Sequence, residues 1–260
     1  MPAPSECSSS LVENARPKTK LVSYASRVFP RTLFSNFRAA PAIAYPAAPG
    51  TKYRTMEIDL NTIPARDSYA WLSNLITPRP IAWVSTIDAQ GRSNLAPFSF
   101  FNGVTSNPPT LLFIPVNLRD GVKKDTVLNL EAVPECVVHI VSRDLADAMN
   151  ACAARLPRGE SEFAAFGIES TPSTLVRPPR VALAPAAFEC RVRQIVPVGE
   201  GALAAHVVIA DILRVHVRDN VLGPGGTVDP AKLDSIGRLG GEDYATTRER
   251  FQLERPDRRR

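Results

Sequence analysis

The stretch Ser93-Asn-Leu-Ala-Pro-Phe-Ser-Phe-Phe-Asn-Gly-Val-Thr-Ser-Asn-Pro-Pro109 concentrates residue types that suit a flat ligand with polar edges. Small and hydroxylated residues (Ala96, Ser99, Thr105, Ser106) are interleaved with Phe98, Phe100 and Phe101. Pro97 cannot donate a ladder hydrogen bond and belongs on a sheet edge or at a bulge. Backbone freed from a ladder, hydroxyl donors and apolar rings together make a slot for a planar molecule. A core hairpin with a bulge is the plainer alternative. Farther along, Lys124-Asp125-Thr126 offers an ammonium, a hydroxyl and the amides of a helix N-terminus, which can converge on one phosphate. On spacing alone, a capped surface helix is the simpler description of that triplet. Arg79, just before the first long strand, is a second candidate cation. No Gly-x-Gly-x-x-Gly follows a strand and no Gly-x-x-x-x-Gly-Lys occurs, which excludes Rossmann and P-loop phosphate cradles.

Other chemistry is thinly supplied. His139, His206 and His216 are the only histidines, and all lie in strand-like apolar runs where a packed or hydrogen-bonded imidazole is the usual occupant. No nucleophile elbow or comparable local signature supports hydrolysis. Cys7, Cys136, Cys152 and Cys190 show neither Cys-x-x-Cys nor metal-finger spacing, so no metal site is assigned. Cys136 and Cys190 read as buried thiols.

The elements that must position these residues are mostly strands. Ile81 to Ile87 is rich in strand formers, Asp88-Ala-Gln-Gly91 supplies turn chemistry, and a second strand should begin near Arg92. Trp83 alternates within its strand and is expected in the core. Leu111 to Val116, Cys136 to Val141, Phe188 to Val196 and the long apolar His206 to Val217 are further strands. Lys124 to Ala132 reads as a helix with Asp125 as its N-cap, and Asp144 to Ala154 has helical composition. Gly223-Pro-Gly-Gly226 reads as an irregular loop. Many strands with few intervening helices predict a mainly β fold with accessory helices, a barrel rather than a doubly wound sheet.

Pro78-Arg-Pro-Ile-Ala-Trp-Val-Ser-Thr86, Asn94-Leu-Ala-Pro-Phe-Ser-Phe-Phe-Asn102, Pro108-Pro109 and Lys124-Asp-Thr126 resemble the flavin reductase-like family, FMN-binding split β-barrel proteins related to flavoredoxin. Met149-Asn150, Glu162-Phe163, Pro179-Arg-Val181, Phe188-Glu-Cys190, Arg238-Leu-Gly-Gly241 and Tyr244 extend the match, in order, from Glu57 to Pro256. The resemblance implies noncovalent FMN and a flavin reductase or related oxidoreductase using NADH or NADPH. An FMN-binding electron carrier without nicotinamide-dependent activity is the alternative, and an FMN-free interaction module is a third reading. It also implies a homodimer with FMN at the interface.

Carried onto this chain, the resemblance assigns Lys124, Asp125, Thr126 and Arg79 to the phosphate. The backbone from Ala96 through Pro97, Phe98 and Ser99 to Phe100 faces the ring edge. Ser99 and Asn102 are side-chain candidates, with Ser85, Thr86 and Asn94 nearby. Either Phe98 or Phe100 stacks, and the other belongs to the core. No catalytic side chain is assigned, because the cofactor carries hydride chemistry while the protein aligns and tunes it. Two departures stand out. Leu183 and Ala184 replace the acidic residue and serine that the family often has before the proline, and His139 stands where relatives tend to carry asparagine.

The net charge of +5 is unevenly distributed. Residues 1–54 hold eight Lys or Arg and two acids, whereas residues 55–260 hold 23 basic and 24 acidic residues. Neither the basic N-terminal segment nor the tail at 257–260 interleaves aromatics with base-reading chemistry, so nucleic acid is not an expected partner. No apolar run approaches the roughly 18–20 residues of a membrane span. Residues 1–54 are expected to be a disordered extension or a targeting segment, since Lys20 to Arg38 is acid-free with spaced arginines. The domain is expected over residues 55–256. Scattered cysteines fit a reducing, cytoplasmic setting, with the mitochondrial matrix as the alternative if the N-terminal segment is a presequence.

Overall fold

Alternation along the first long strand sends Ala82 and Val84 to one side and Ile81 and Trp83 to the other, and both sides are covered. The computed structural model describes residues 55–255; the segment at 1–54 and the tail at 257–260 lie outside the described residues. The elements are α1 (Ala65–Leu75), β1 (Arg79–Pro80), β2 (Ala82–Ile87), β3 (Ser93–Phe98), β4 (Phe101–Ser106), β5 (Pro109–Phe113), α2 (Asp125–Ala132) and β6 (Glu135–Ile140). They continue with α3 (Ala146–Ala151), α4 (Glu162–Ala165), β7 (Ser170–Thr171), β8 (Arg180–Val181), β9 (Ala186–Val198), β10 (Ala205–Val217), α5 (Pro230–Leu233), β11 (Ile236–Arg238) and β12 (Tyr244–Thr246).

Seven strands form one antiparallel sheet in the order β3-β2-β6-β9-β10-β5-β4. Its two edges, β3 and β4, are consecutive in the chain and joined only by Ser99 and Phe100. The sheet must therefore curl until its edges meet. Val84, Phe98, Phe113, Val138, Cys190 and Val208, from six different strands, share one buried cluster inside the curl. Each such side chain contributes about 1.5–3 kcal/mol on burial. No ladder joins β3 to β4, so the barrel is split along that seam. The result is the mainly β split barrel that the sequence predicts.

Outside the curl, Trp83, Leu95, Val141, Met149 and Phe163 form a second cluster, with α3 and α4 packed over β2 and β3. Trp83 is thus a core residue, as its alternation requires. Beside it, burial pushes the Cys152 thiol up to about 12. Cys136 and Cys190 face each other across β6 and β9 as buried free thiols. The β1-β11-β12 sheet closes the chain, and Gly237 is needed there because a Cβ would lie 2.9 Å from Pro78 Cβ.

Several expectations are corrected. The strand expected over Leu111–Val116 is Pro109–Phe113, with Val116 in an isolated bridge to Ala205. The helical stretch at 144–154 is a 3-10 turn, Arg143–Leu145, followed by the short α3. The loop expected at Gly223–Gly226 holds: one turn closes from Gly226 to the Gly223 carbonyl, but Gly225 and Gly226 are left-handed, so no regular helix forms. Asp125 is the first helical residue, not the cap: Lys124 holds the cap position in extended conformation. Among the described residues, no helix is long and apolar enough to cross a membrane.

His139, the departure from the family pattern, is fully buried. Its Nδ1–H donates to the Trp83 carbonyl at 2.7 Å and its Nε2 accepts the Val181 amide at 2.9 Å, which ties β8 to the sheet. Burial holds its pKa down to about 4, from an ordinary 6.5, and the nearby Arg180 charge adds to the effect. The folded chain keeps the ring neutral while the unfolded chain protonates it near 6.5. This contribution is complete above that pH and is lost as pH falls toward 4, by about 3 kcal/mol at most. His139→Asn, which keeps a donor and an acceptor but does not titrate, is expected to flatten this part of the stability profile. Denaturant unfolding of both proteins at about pH 7 and about pH 4.5 checks it; equal losses would refute the assignment.

Candidate functional site

The seam leaves one edge of β3 without a partner strand. Leu95 turns its amide outward along this edge, where it donates to Glu162 Oε2 at 2.7 Å. Antiparallel alternation then directs the amides of Asn94, Ala96 and Phe98 toward β2 and places Pro97 outward, where its missing donor costs no ladder bond. The ring-edge donors expected from Ala96 and Phe98 are therefore engaged within the sheet. Free backbone donors begin where the strand ends, at the bend of Ser99 and Phe100.

That bend also separates the two phenylalanines. Phe98 is buried and stacks on Phe113 at 5.8 Å between centroids, inside the barrel. Phe100 stays half-buried, with the Tyr69 ring edge 6.3 Å away and the Arg79 guanidinium 5.8 Å over its face. Arg79 is itself only 4% exposed. It donates to the carbonyls of Ser73, Ile76 (2.6 Å) and Leu239 (2.8 Å), and weakly to Ser99 Oγ (3.4 Å). The second candidate phosphate cation instead ties the end of α1 to the C-terminal closure. In that closure, Arg238 donates to Tyr244 and the Gly241 carbonyl, and the Tyr244 hydroxyl donates to Asn150 Oδ1 at 3.2 Å.

Three other candidates lie behind the surface. Ser85 is fully buried and donates to the Pro179 carbonyl at 2.5 Å. The Thr126 hydroxyl donates to Asn94 Oδ1 at 2.9 Å, and Asn94 Nδ2 donates to both Glu162 oxygens at 2.9 and 3.0 Å. Glu162, absent from the sequence-derived site although the motif Glu162-Phe163 flagged it, is thus the hub that fixes β3 against α2 and α4. Asn129, donating to Thr86 at 3.1 Å, adds a second tie. Burial raises the pKa of Glu162, and its hydrogen bonds oppose that rise.

Lys124 is different. It is half-buried, with Nζ 5.9 Å from the Phe98 ring centroid, and has no carboxylate partner among the described residues. Burial lowers its pKa. No side chain caps α2 beside it, and the Asp125 carboxylate turns away to Arg158 at 2.7 Å. A desolvated ammonium next to uncapped helix amides fits a phosphate monoester such as that of FMN. Asn102 is exposed; its Oδ1 accepts the Gly103 amide, which leaves its NH2 group available.

The chain matches the flavin reductase like domain over residues 74–231. It is 39% identical to a protein of Deinococcus radiodurans over 204 residues, covering 76% of this chain and 88% of that one. Component B of nitrilotriacetate monooxygenase from Bacillus cereus is a similar solved structure, with 33% identity, 78% of this chain and 100% of that one covered, and a TM-score of 0.73. The 2-nitrobenzoate 2-nitroreductase of Pseudomonas fluorescens is similar at 28% identity, covering 77% and 96% of the two chains with a TM-score of 0.68. This protein belongs to the flavin reductase-like family. Its chemistry falls in the class of flavin-related oxidoreductases.

Glu162→Gln tests the hub. A carboxylate accepts on both oxygens here, whereas the glutamine amide would turn a donor toward another donor. The variant is expected to lose about 1–3 kcal/mol. Thermal and denaturant unfolding measure it, and an unchanged midpoint would remove Glu162 from this role.

Proposed function

We propose that the protein binds FMN noncovalently along the β3–β4 seam and reduces it with hydride from NADH or NADPH. The half-buried Lys124, without a carboxylate partner among the described residues and beside the uncapped start of α2, is the observation that carries the reading. FMN supplies the two-electron chemistry. For the chain's part, Lys124 and the amides of Asp125 and Thr126 hold the phosphate. Ser99, whose Oγ accepts from Arg79, keeps its own hydroxyl proton to donate to a polar ring edge. Phe100, held between Arg79 and Tyr69, supplies a flat wall, and Asn102 offers its amide at the rim. No side chain is required to take up or release a proton in hydride transfer itself.

The same region supports a homodimer. On α1 only Ser73 is buried, while Tyr69, Trp71, Leu72, Leu75 and Ile76 are exposed, and Val104 on the neighbouring edge strand is half exposed. An apolar surface of this kind is characteristic of an interaction face. Because Tyr69 touches Phe100, a second copy seated there would wall the seam and keep water from the ring.

Two measurements test these statements. The purified protein is expected to show a flavin spectrum, or to acquire one with added FMN, and to bleach anaerobically on addition of NADH or NADPH. Bleaching only with dithionite or a partner reductase would replace the reductase reading with an electron carrier; no FMN binding at all would refute both. Lys124→Ala should weaken FMN binding by about ten- to hundredfold in a fluorescence titration, the value of one charge-assisted contact. Unchanged affinity would move the phosphate elsewhere.

A further inference from the structure

A cleft of about 340 Å³ lies at the end of the β9–β10 pair, lined by residues of β8, the loop after it and the end of β10. It shares no residue with the seam. Two cations line it, Arg180 and Arg218. Each guanidinium is anchored by a backbone carbonyl: Arg180 donates to Pro172 at 3.1 and 3.3 Å, and Arg218 to Leu183 at 3.0 Å. These bonds leave further N–H groups on both. Neither has a carboxylate within ion-pair distance among the described residues. The segment between β8 and β9, Ala182-Leu183-Ala184-Pro185, supplies no acid.

The nearest buried acid does not neutralise them. Glu189 is fully buried and accepts from the amides of Thr174 (2.7 Å) and Leu175 (2.6 Å) and faces His216 Nε2 at 2.6 Å. The positive charge of Arg180 is also felt at His139, whose protonation it opposes. Between the arginines the cleft is lined by Val181, Ala184, Val215 and Val217, together with His216, whose Nε2 is turned to Glu189. A cleft of this volume falls within the range of small-molecule sites. It is larger than an inorganic anion needs, and such an ion would use the two guanidinium groups but none of the aliphatic side chains.

We propose that this cleft binds a small organic carboxylate, its charged group held by Arg180 and Arg218 and its hydrocarbon body against Val215 and Val217. Fixed guanidinium groups suit a carboxylate because their planar donors match its two oxygens. The aliphatic side chains of Val181, Ala184, Val215 and Val217 give an aromatic or branched body apolar contact that a fully hydrated one would not use.

Calorimetric titration of the full chain with benzoate tests the site, with benzyl alcohol and inorganic phosphate as matched probes. Saturable benzoate binding is expected, with both other probes at least about tenfold weaker. Arg180→Gln combined with Arg218→Gln should weaken benzoate by at least about tenfold while leaving the melting temperature and FMN titration unchanged. Arg218→Gln alone, at an exposed position, should give a severalfold loss and stands in if the double variant is unstable. Benzoate that fails to saturate, phosphate that binds as tightly as benzoate, or variants that bind as the parent does would each overturn the proposal.

Discussion

The bend at Ser99 and Phe100 joins the two edge strands of a seven-stranded sheet, and that connection obliges the sheet to close around one apolar interior. Because the edges meet without a ladder, closure leaves a seam. Much else follows from this. β3 keeps an unpaired outer edge, Phe98 points into the core while Phe100 is left at the surface, and α2 brings Lys124 to the Phe98 ring. The place where the barrel fails to close is the place where polar backbone and flat side chains remain for a ligand.

Rigidity at the seam comes from buried polar groups rather than from the ladder. Glu162 accepts three hydrogen bonds from two nitrogens, Asn94 Nδ2 and the Leu95 amide, and Asn94 Oδ1 in turn accepts from Thr126. Such a network is valuable only when complete, because a lone buried donor or acceptor is costly. On the other side, Arg79 performs a comparable service for α1 and the C-terminal closure. Residues whose types suggest ligand binding thus divide into those that meet the ligand space and those that hold its walls.

Six of the seven strands of the large sheet, with their approximate limits, and the core role of Trp83 were legible because period-two patterning and turn residues are local signals. The two- and three-residue strands β7, β8, β11 and β12 are too short to show a period. Helix α1 was not legible, since most of its apolar residues stay exposed and only Tyr69 meets a ring of the barrel, Phe100. β4 was hidden by its exposed, mixed composition. At the candidate site, the charge and position of Lys124 were legible, and the structure adds that it is half-buried. The roles of Ser85, Thr126 and Arg79 were not readable, because whether a hydroxyl or guanidinium faces inward depends on partners 32 to 160 residues away. Ala96 illustrates the same limit: the direction of one amide is set by the strand's pairing register, which its own side chain does not record.

An unpaired strand edge ordinarily invites another chain to add itself, the first step toward sheet extension and aggregation. The outer edge of β3 offers no such template. Leu95 has its amide occupied by a carboxylate from its own chain, and Pro97 has none to give. The free amides lie past the end of the strand, at Ser99 and Phe100, where a small molecule can reach them but a neighbouring strand finds no continuous row to pair with. Pro97, set outward on that edge, leaves an incoming strand one donor short without costing β3 any bond to β2.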